Sequence, residues 1–503
     1  MSLATVFSRA QNGLQAPQVR VEVHVAGGLP AFTIVGLAET AVRESRDRVR
    51  AAIQNAGLEF PQRRITVNLA PADLPKEGGR FDLAVAIGIL SATAQVPAQK
   101  TADVEFYGEL SLGGELRRVP DLFPALLQSR RGGRRLVVPR GNSAEAALVP
   151  RIRVEVAEHL LDVCRSLCGG DPLEPPLRCT DTEPGVEADL ADIAGQVQAR
   201  RALEIAAAGG HNLMFVGLPG TGKSMLATRL PGLLPRLGEA EALEVAAIAA
   251  LTRPGFDPRR WRARPFRSPH HTASTAALIG GGAAPRPGEV SLAHRGVLFL
   301  DEMPEFGRAA LEALREPLET GQVCLARAAH RAEYPAQCQL VAAMNPCPCG
   351  YLGDPAGRCH CSLEQVRRYR GRISGPLLDR IDLQVEMVPV SAEELLSHRS
   401  CGESSGAVRQ RVVRARRRQL ERCTRLNARL DAAQTGLFCE PGTAGRRLLT
   451  QALDRFGLSA RAAHRVLRVA RTIADLAGSR DCRRADIAEA LALRALELKR
   501  PAC

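Results

Sequence analysis

The sequence predicts a multidomain α/β protein in three parts: an α+β N-terminal domain, an α/β core built around a glycine-rich loop, and a helical C-terminal domain. Three observations predict it. Val19, Val21, Val23 and Val25 alternate with polar residues, the period of a half-buried strand. Near the middle, apolar runs alternate with helical stretches, and one run leads into Gly217-Leu218-Pro219-Gly220-Thr221-Gly222-Lys223-Ser224. Toward the end, residues 461–477 set Val466, Val469, Ile473 and Leu476 on one helical face.

The chain has 503 residues, enough for roughly two to four domains, and its 45% apolar content suffices for proper cores. In the N-terminal part, Ala38 to Ala56 spaces Val42, Val49 and Ile53 as an amphipathic helix does, and Arg64 to Pro71 reads as a further strand. This part, residues 1–168, has no phosphate loop of its own. Residues 169–188 are rich in proline, glycine and acids, which forbids a long helix or central strand, and are expected to be a linker. The α/β core is expected over 189–390 and the helical part over 391–503, with no internal repeat.

No stretch approaches the roughly 20 apolar residues a membrane span needs, so no membrane partner is expected. The N-terminus lacks an apolar signal segment, and a cytoplasmic location is the expectation. The net charge of +14 favours an anionic partner, nucleic acid first, with a merely solvated basic surface as the alternative. Lysine is scarce. Only Lys76, Lys100, Lys223 and Lys499 occur, so 64 of the 68 basic residues are arginine.

The apolar strand Leu213 to Val216, the loop Gly217 to Ser224 and a following helical run give G-x-x-x-x-G-K-S in the strand–loop–helix setting it requires. Such glycines turn backbone N–H groups toward phosphates, and the helix N-terminus adds partial positive charge. Lys223 is therefore expected to reach the β- and γ-phosphates of ATP, and Ser224 to ligate Mg²⁺. A second buried run, Gly296 to Leu300, delivers Asp301 and Glu302 to its carboxyl end. Asp301 is expected at the Mg²⁺ hydration shell, and Glu302 as the group that polarises the attacking water. A third run, Gln339 to Pro346, carries Asn345, which can hold that water or sense the γ-phosphate; the plainer reading is an Asn-Pro turn.

Together with Phe266 to Gly282, Pro285 to Phe306, VAAMNPCPCGY and RISGPLLDRIDL, these residues resemble magnesium-chelatase-like AAA+ ATPases, and among them the YifB/ComM subfamily. The resemblance spans nearly the whole chain. It implies a Lon-protease-like N-terminal domain, an AAA+ core and a helical lid, assembled as a hexameric ring with ATP between subunits. It further implies that Arg380, in LLDRID, is the finger reaching a neighbour's γ-phosphate, and Arg461, in LSARAAHR, the sensor arginine of the lid. Guanidinium suits both roles, being planar and always charged. The activity implied is an ATP-dependent DNA translocase or helicase that promotes branch migration of DNA junctions in homologous recombination during natural transformation. The alternative is a protein-remodelling ATPase akin to the magnesium-chelatase motor subunit; a non-hydrolysing DNA scaffold is disfavoured by the presence of Glu302. The Lon likeness lies in Leu69 to Leu90, yet Gly78-Gly79-Arg80-Phe81 supplies no serine nucleophile, so no peptidase activity is expected.

Two segments are candidates for DNA contact: Arg267, His270 and His271 in the glycine- and histidine-rich insertion, and Arg327 and Arg331 between two strands before Asn345. Such residues would contact phosphates independently of base sequence; a solvated hairpin is the alternative. Arg409 to Arg422 is a basic helical stripe of which only part can face DNA. Most of the fourteen cysteines are scattered, but Cys347, Cys349, Cys359 and Cys361 form two C-x-C pairs around a glycine-rich loop. Four thiols so placed could supply the tetrahedral sulfur set of a structural Zn²⁺; free thiols are the alternative.

Overall fold

The computed structural model describes residues 2–36, 40–177, 188–253, 255–282, 285–327, 330–390 and 402–494. The chain forms two compact units. The first comprises residues 1–183 together with 242–261, and the second comprises 184–241 together with 262–503.

The first unit is built on a seven-stranded sheet in the spatial order Ala31–Val35, Arg64–Ala70, Gln18–Ala26, Ser2–Arg9, Val104–Phe106, Arg135–Pro139, Arg153–Ala157. Gln18–Ala26 pairs antiparallel with both of its neighbours, and the other pairs are parallel. The alternating valines turn inward, with Val19, Val21 and Val23 fully buried. Helix Thr40–Asn55 buries Val42, Val49 and Ile53. Helix Asp82–Ala92 is buried along its whole length, which is why its sequence shows no polar face. A second core collects Tyr107, Phe123 and Leu126 with Leu243, Ala246, Ala247, Ala250 and Phe256. Phe256 lies 5.7 Å from the Phe123 ring. Thus twenty residues (242–261) from inside the sequence of the α/β core complete the N-terminal unit.

The second unit holds a five-stranded sheet in the order Phe266–Arg267, Val297–Leu300, Gln339–Met344, Leu213–Gly217, Leu383–Met387, every adjacent pair parallel. Leu213–Gly217, Val297–Leu300 and Gln339–Met344 are buried throughout, as strands covered on both faces must be. All deliver their carboxyl ends to one edge, where ligands of open α/β sheets bind. Gln322–Arg327 and His330–Pro335 form a separate antiparallel hairpin.

The C-terminal helices share this unit's core. Val466, Val469 and Ile473 are buried there with Val408, Val412, Leu203 and Ala206. From the basic helix Ser405–Cys423, Arg416 and Gln419 donate to the carbonyls of Ala207 and Ala208 at 2.8 and 3.2 Å. Burial lowers the pKa of Arg416, so this part of the stripe serves packing. A polar network crosses the same boundary. The buried His211 ring lies 3.2 Å from an Asp382 oxygen and 2.8 Å from Thr472 Oγ1, and Asn427 donates to both Thr472 and Asp475. No helix among the described residues is long and apolar enough to cross a membrane.

Candidate functional site: a phosphate loop and its acidic partners

The glycine loop leaves the sheet through backbone that other residues resist. Gly220 and Gly222 have φ of 78° and 87°, in the left-handed region. A side chain on Gly217 would meet the Met387 carbonyl oxygen at 2.7 Å. Helix Lys223–Leu233 follows with no side-chain cap, leaving its first N–H groups for a ligand. Thr221 braces the loop by donating to the Leu218 carbonyl at 2.9 Å.

Lys223 is folded back onto this loop. Its Nζ donates to the carbonyls of Gly217 and Leu218 at 2.8 and 2.9 Å and to Asn345 Oδ1 at 3.1 Å. Burial lowers its pKa, while the charges of Asp301 and Glu302 pull it back up. The ammonium is thus kept beside two acids without an ion pair to either, poised for a stronger anion. Ser224 Oγ donates to Asp301 Oδ2 at 2.6 Å. A hydroxyl and a carboxylate side by side are a fitting donor set for a hard divalent cation. Glu302 has a φ of 50°, costly for a side chain of its size and typical of functional positions. Its N–H donates to Asp301 Oδ1 at 2.9 Å, and its carboxylate stays exposed.

The structure therefore brings Lys223, Ser224, Asp301, Glu302 and Asn345 together at the carboxyl edge of the sheet. Two further residues belong to this constellation: His271, expected from the sequence at a DNA contact, and Gln196, not singled out there. His271 Nδ1 lies 3.5 Å from Glu302 Oε2, with its ring 4.1 Å from that of His270. Gln196 donates to the carbonyls of Thr221 and Val388 at 3.2 and 2.7 Å, tying the phosphate loop to the end of the last strand. No motif spacing reveals either.

Other expected site residues lie elsewhere. Arg380 ion-pairs with Glu319 and donates to the Pro376 carbonyl at 2.7 Å. Arg461 is exposed at the start of helix Ala460–Ala477. Arg267 makes a two-point pair with Glu289 at 2.6 and 2.7 Å, which occupies its guanidinium internally. Arg327 and Arg331 lie on the backbone of the hairpin, and their side chains fall outside the described residues. In the first unit, Arg80 is buried and donates to the Pro120 carbonyl at 3.1 Å, in the segment where a nucleophilic serine would be needed.

The four clustered cysteines converge. Their sulfurs lie within 4.8 Å of one another, Cys347 buried and Cys349 exposed. Cys347 is 3.3 Å from Cys349 and 3.8 Å from Cys359, and Cys349 is 3.7 Å from Cys359. Tetrahedral Zn–S bonds of about 2.3 Å put sulfurs about 3.8 Å apart, so the spacing suits that ion. The N–H of Leu352 points at the Cys347 sulfur at 3.3 Å.

Comparison with known proteins finds three matching family segments along the chain. The family described as "Magnesium chelatase, subunit ChlI" matches residues 189–395, "Subunit ChlI of Mg-chelatase" matches 21–142, and "Magnesium chelatase, subunit ChlI C-terminal" matches 402–494. The chain is 50% identical over 498 residues to the protein YifB of Salmonella typhimurium, covering 99% of this chain and 98% of that one. It is 48% identical over 503 residues to "Competence protein ComM" of Haemophilus influenzae, again covering 99% and 98%. A Lon protease of Acinetobacter baumannii is 30% identical over 138 residues, 26% of this chain and 17% of that one. With its phosphate loop, its acidic strand end and this full-length likeness, the chain belongs to the YifB/ComM subfamily of magnesium-chelatase-like AAA+ ATPases.

Proposed function

We propose that the protein is an ATP-driven DNA motor that promotes branch migration of DNA junctions. The observation that carries the motor is the constellation of Lys223, Ser224, Asp301, Glu302 and Asn345 at one sheet edge. Lys223 is to exchange its two loop carbonyls for the phosphates, which compensate its buried charge better. Ser224 and Asp301 would hold Mg²⁺, which when bound neutralises phosphate charge. Glu302, exposed with the His271 ring 3.5 Å from its carboxylate, takes the proton of the attacking water, and Asn345 holds the other side of that water.

The DNA part rests on the net charge of +14, on likeness to a protein named for competence, and on the basic and histidine-bearing segments around His270, His271 and the hairpin. Arg380 and Arg461 are proposed to act on a neighbour's nucleotide in a homo-oligomeric ring, Arg380 leaving Glu319 to do so. A structural Zn²⁺ on Cys347, Cys349, Cys359 and Cys361 is part of the proposal.

The test is ATP-dependent resolution of a labelled three- or four-strand junction, run beside ATPase rates with and without DNA. Lys223→Ala should abolish nucleotide binding. Glu302→Gln should keep binding and lower turnover by about 10²- to 10⁴-fold. An ATPase indifferent to DNA that leaves every junction intact would move the assignment to a protein-remodelling ATPase, the alternative weighed for this family likeness.

A further inference from the structure

The cysteine cluster is not remote from the phosphate loop. Cys347 follows Asn345 by two residues, and Asn345 accepts a hydrogen bond from Lys223. Gly350, inside the cysteine loop with a φ of 86°, lies so close to Pro219 of the phosphate loop that a Cβ there would meet Pro219 Cγ at 2.8 Å. On the far side, Cys361 leads directly into Ser362, which caps helix Leu363–Arg370 by accepting from the Gln365 N–H at 3.2 Å. That helix returns Arg370 to the Pro346 carbonyl at 3.2 Å.

We infer that the four-cysteine site is a metal-dependent clamp that positions Asn345 and the phosphate loop for nucleotide. The inference rests on the zinc reading above and goes beyond it. One ion would join the end of the Asn345 strand, through Cys347 and Cys349, to the start of helix Leu363–Arg370, through Cys359 and Cys361. With both ends fixed, the loop between them presses Gly350 against Pro219, so the phosphate loop is held from outside as Gln196 holds it from within. Apart from the ion, the hydrogen bonds described within the loop are short-range ones among its own residues, such as Arg358 with Asp354 at 2.7 Å. The cysteines and Gly350 are thus positioning residues. None touches the reacting atoms.

The experiment uses the full-length protein and three readouts: zinc content, melting temperature and affinity for a fluorescent ATP analogue. The clamp predicts about one zinc per chain. It also predicts roughly tenfold weaker nucleotide binding after removal with a zinc-selective chelator, restored by adding zinc. Gly350→Ala should weaken nucleotide binding similarly while keeping its zinc, a result that a merely stabilising metal would not give. Cys359→Ser with Cys361→Ser should lose both; if that variant does not fold, the other two comparisons still decide. Zinc present with unchanged affinity after stripping and in Gly350→Ala would overturn the clamp while leaving the metal site intact. Protein that purifies without zinc and takes up none would overturn both.

Discussion

Lys223 and Glu302 differ in how their surroundings prepare them. Lys223 is buried against carbonyls, whereas Glu302 is exposed on strained backbone with His271 as its neighbour. An exposed pair of this kind is worth about 0.2–1 kcal/mol, and it competes with the attacking water for the same carboxylate. His271→Ala is therefore expected to raise the DNA-free ATPase rate by up to about fivefold. Steady-state phosphate release, with nucleotide affinity unchanged, is the measurement; a lower rate would make His271 a helper of Glu302 instead. At this scale the sequence was legible where chemistry is contiguous. Gly217 to Ser224 and Asp301-Glu302 read directly, because adjacent residues define each turn. Pairs made by distant residues did not. Nothing in FRSPHH says that Arg267 is spent on Glu289 while His271 turns to Glu302.

The sheet and the C-terminal helices meet through His211, Thr472 and Asp382, which lies two residues along from Arg380. Burial pushes the Asp382 carboxyl up, but the His211 hydrogen bond and the charges of His211, Arg465 and Arg494 outweigh it and hold the pKa below the usual range. The sign follows. A lowered folded pKa gives stability that is fully present above the unfolded value, about pH 4, and is lost as pH falls through the folded one. Asp382→Asn should therefore cost about 3 kcal/mol at pH 7. It should also show a smaller drop in melting temperature between pH 5 and pH 3 than the wild type, by calorimetry at each pH. Elements were predictable where period was strong: the valine strand, the helix over 40–55 and the helix over 460–477 carry their apolar residues at the spacing the structure buries. The buried helix Asp82–Ala92 was not, since its unbroken apolar run Leu83 to Leu90 has no polar face to reveal its period.

Over the whole chain, order in sequence and order in space part company at residues 242–261. A helix that begins at Glu239 contributes Leu243, Ala246, Ala247 and Ala250 to the core around Tyr107 and Phe123. Composition could not show this, because an alanine-rich helix fits a lid, a core or an interface equally well. A fragment ending at residue 177 is expected to expose that core, to bind a hydrophobic dye and to aggregate. A peptide of residues 242–261 added in trans should reduce both effects, measured by dye fluorescence and light scattering. If the fragment alone is monomeric with a sharp thermal transition, the segment is dispensable.

The same excursion sets a clock on synthesis. At translation speeds of about 5–20 residues per second, the stretch from residue 168 to residue 261 takes roughly 5 to 20 s to make. For that interval the first unit has its seven strands but lacks the side chains that close its second core. The N-terminal unit is thus born first and finished late, and a nascent chain stalled in between presents an unclosed apolar surface to whatever chaperone meets it.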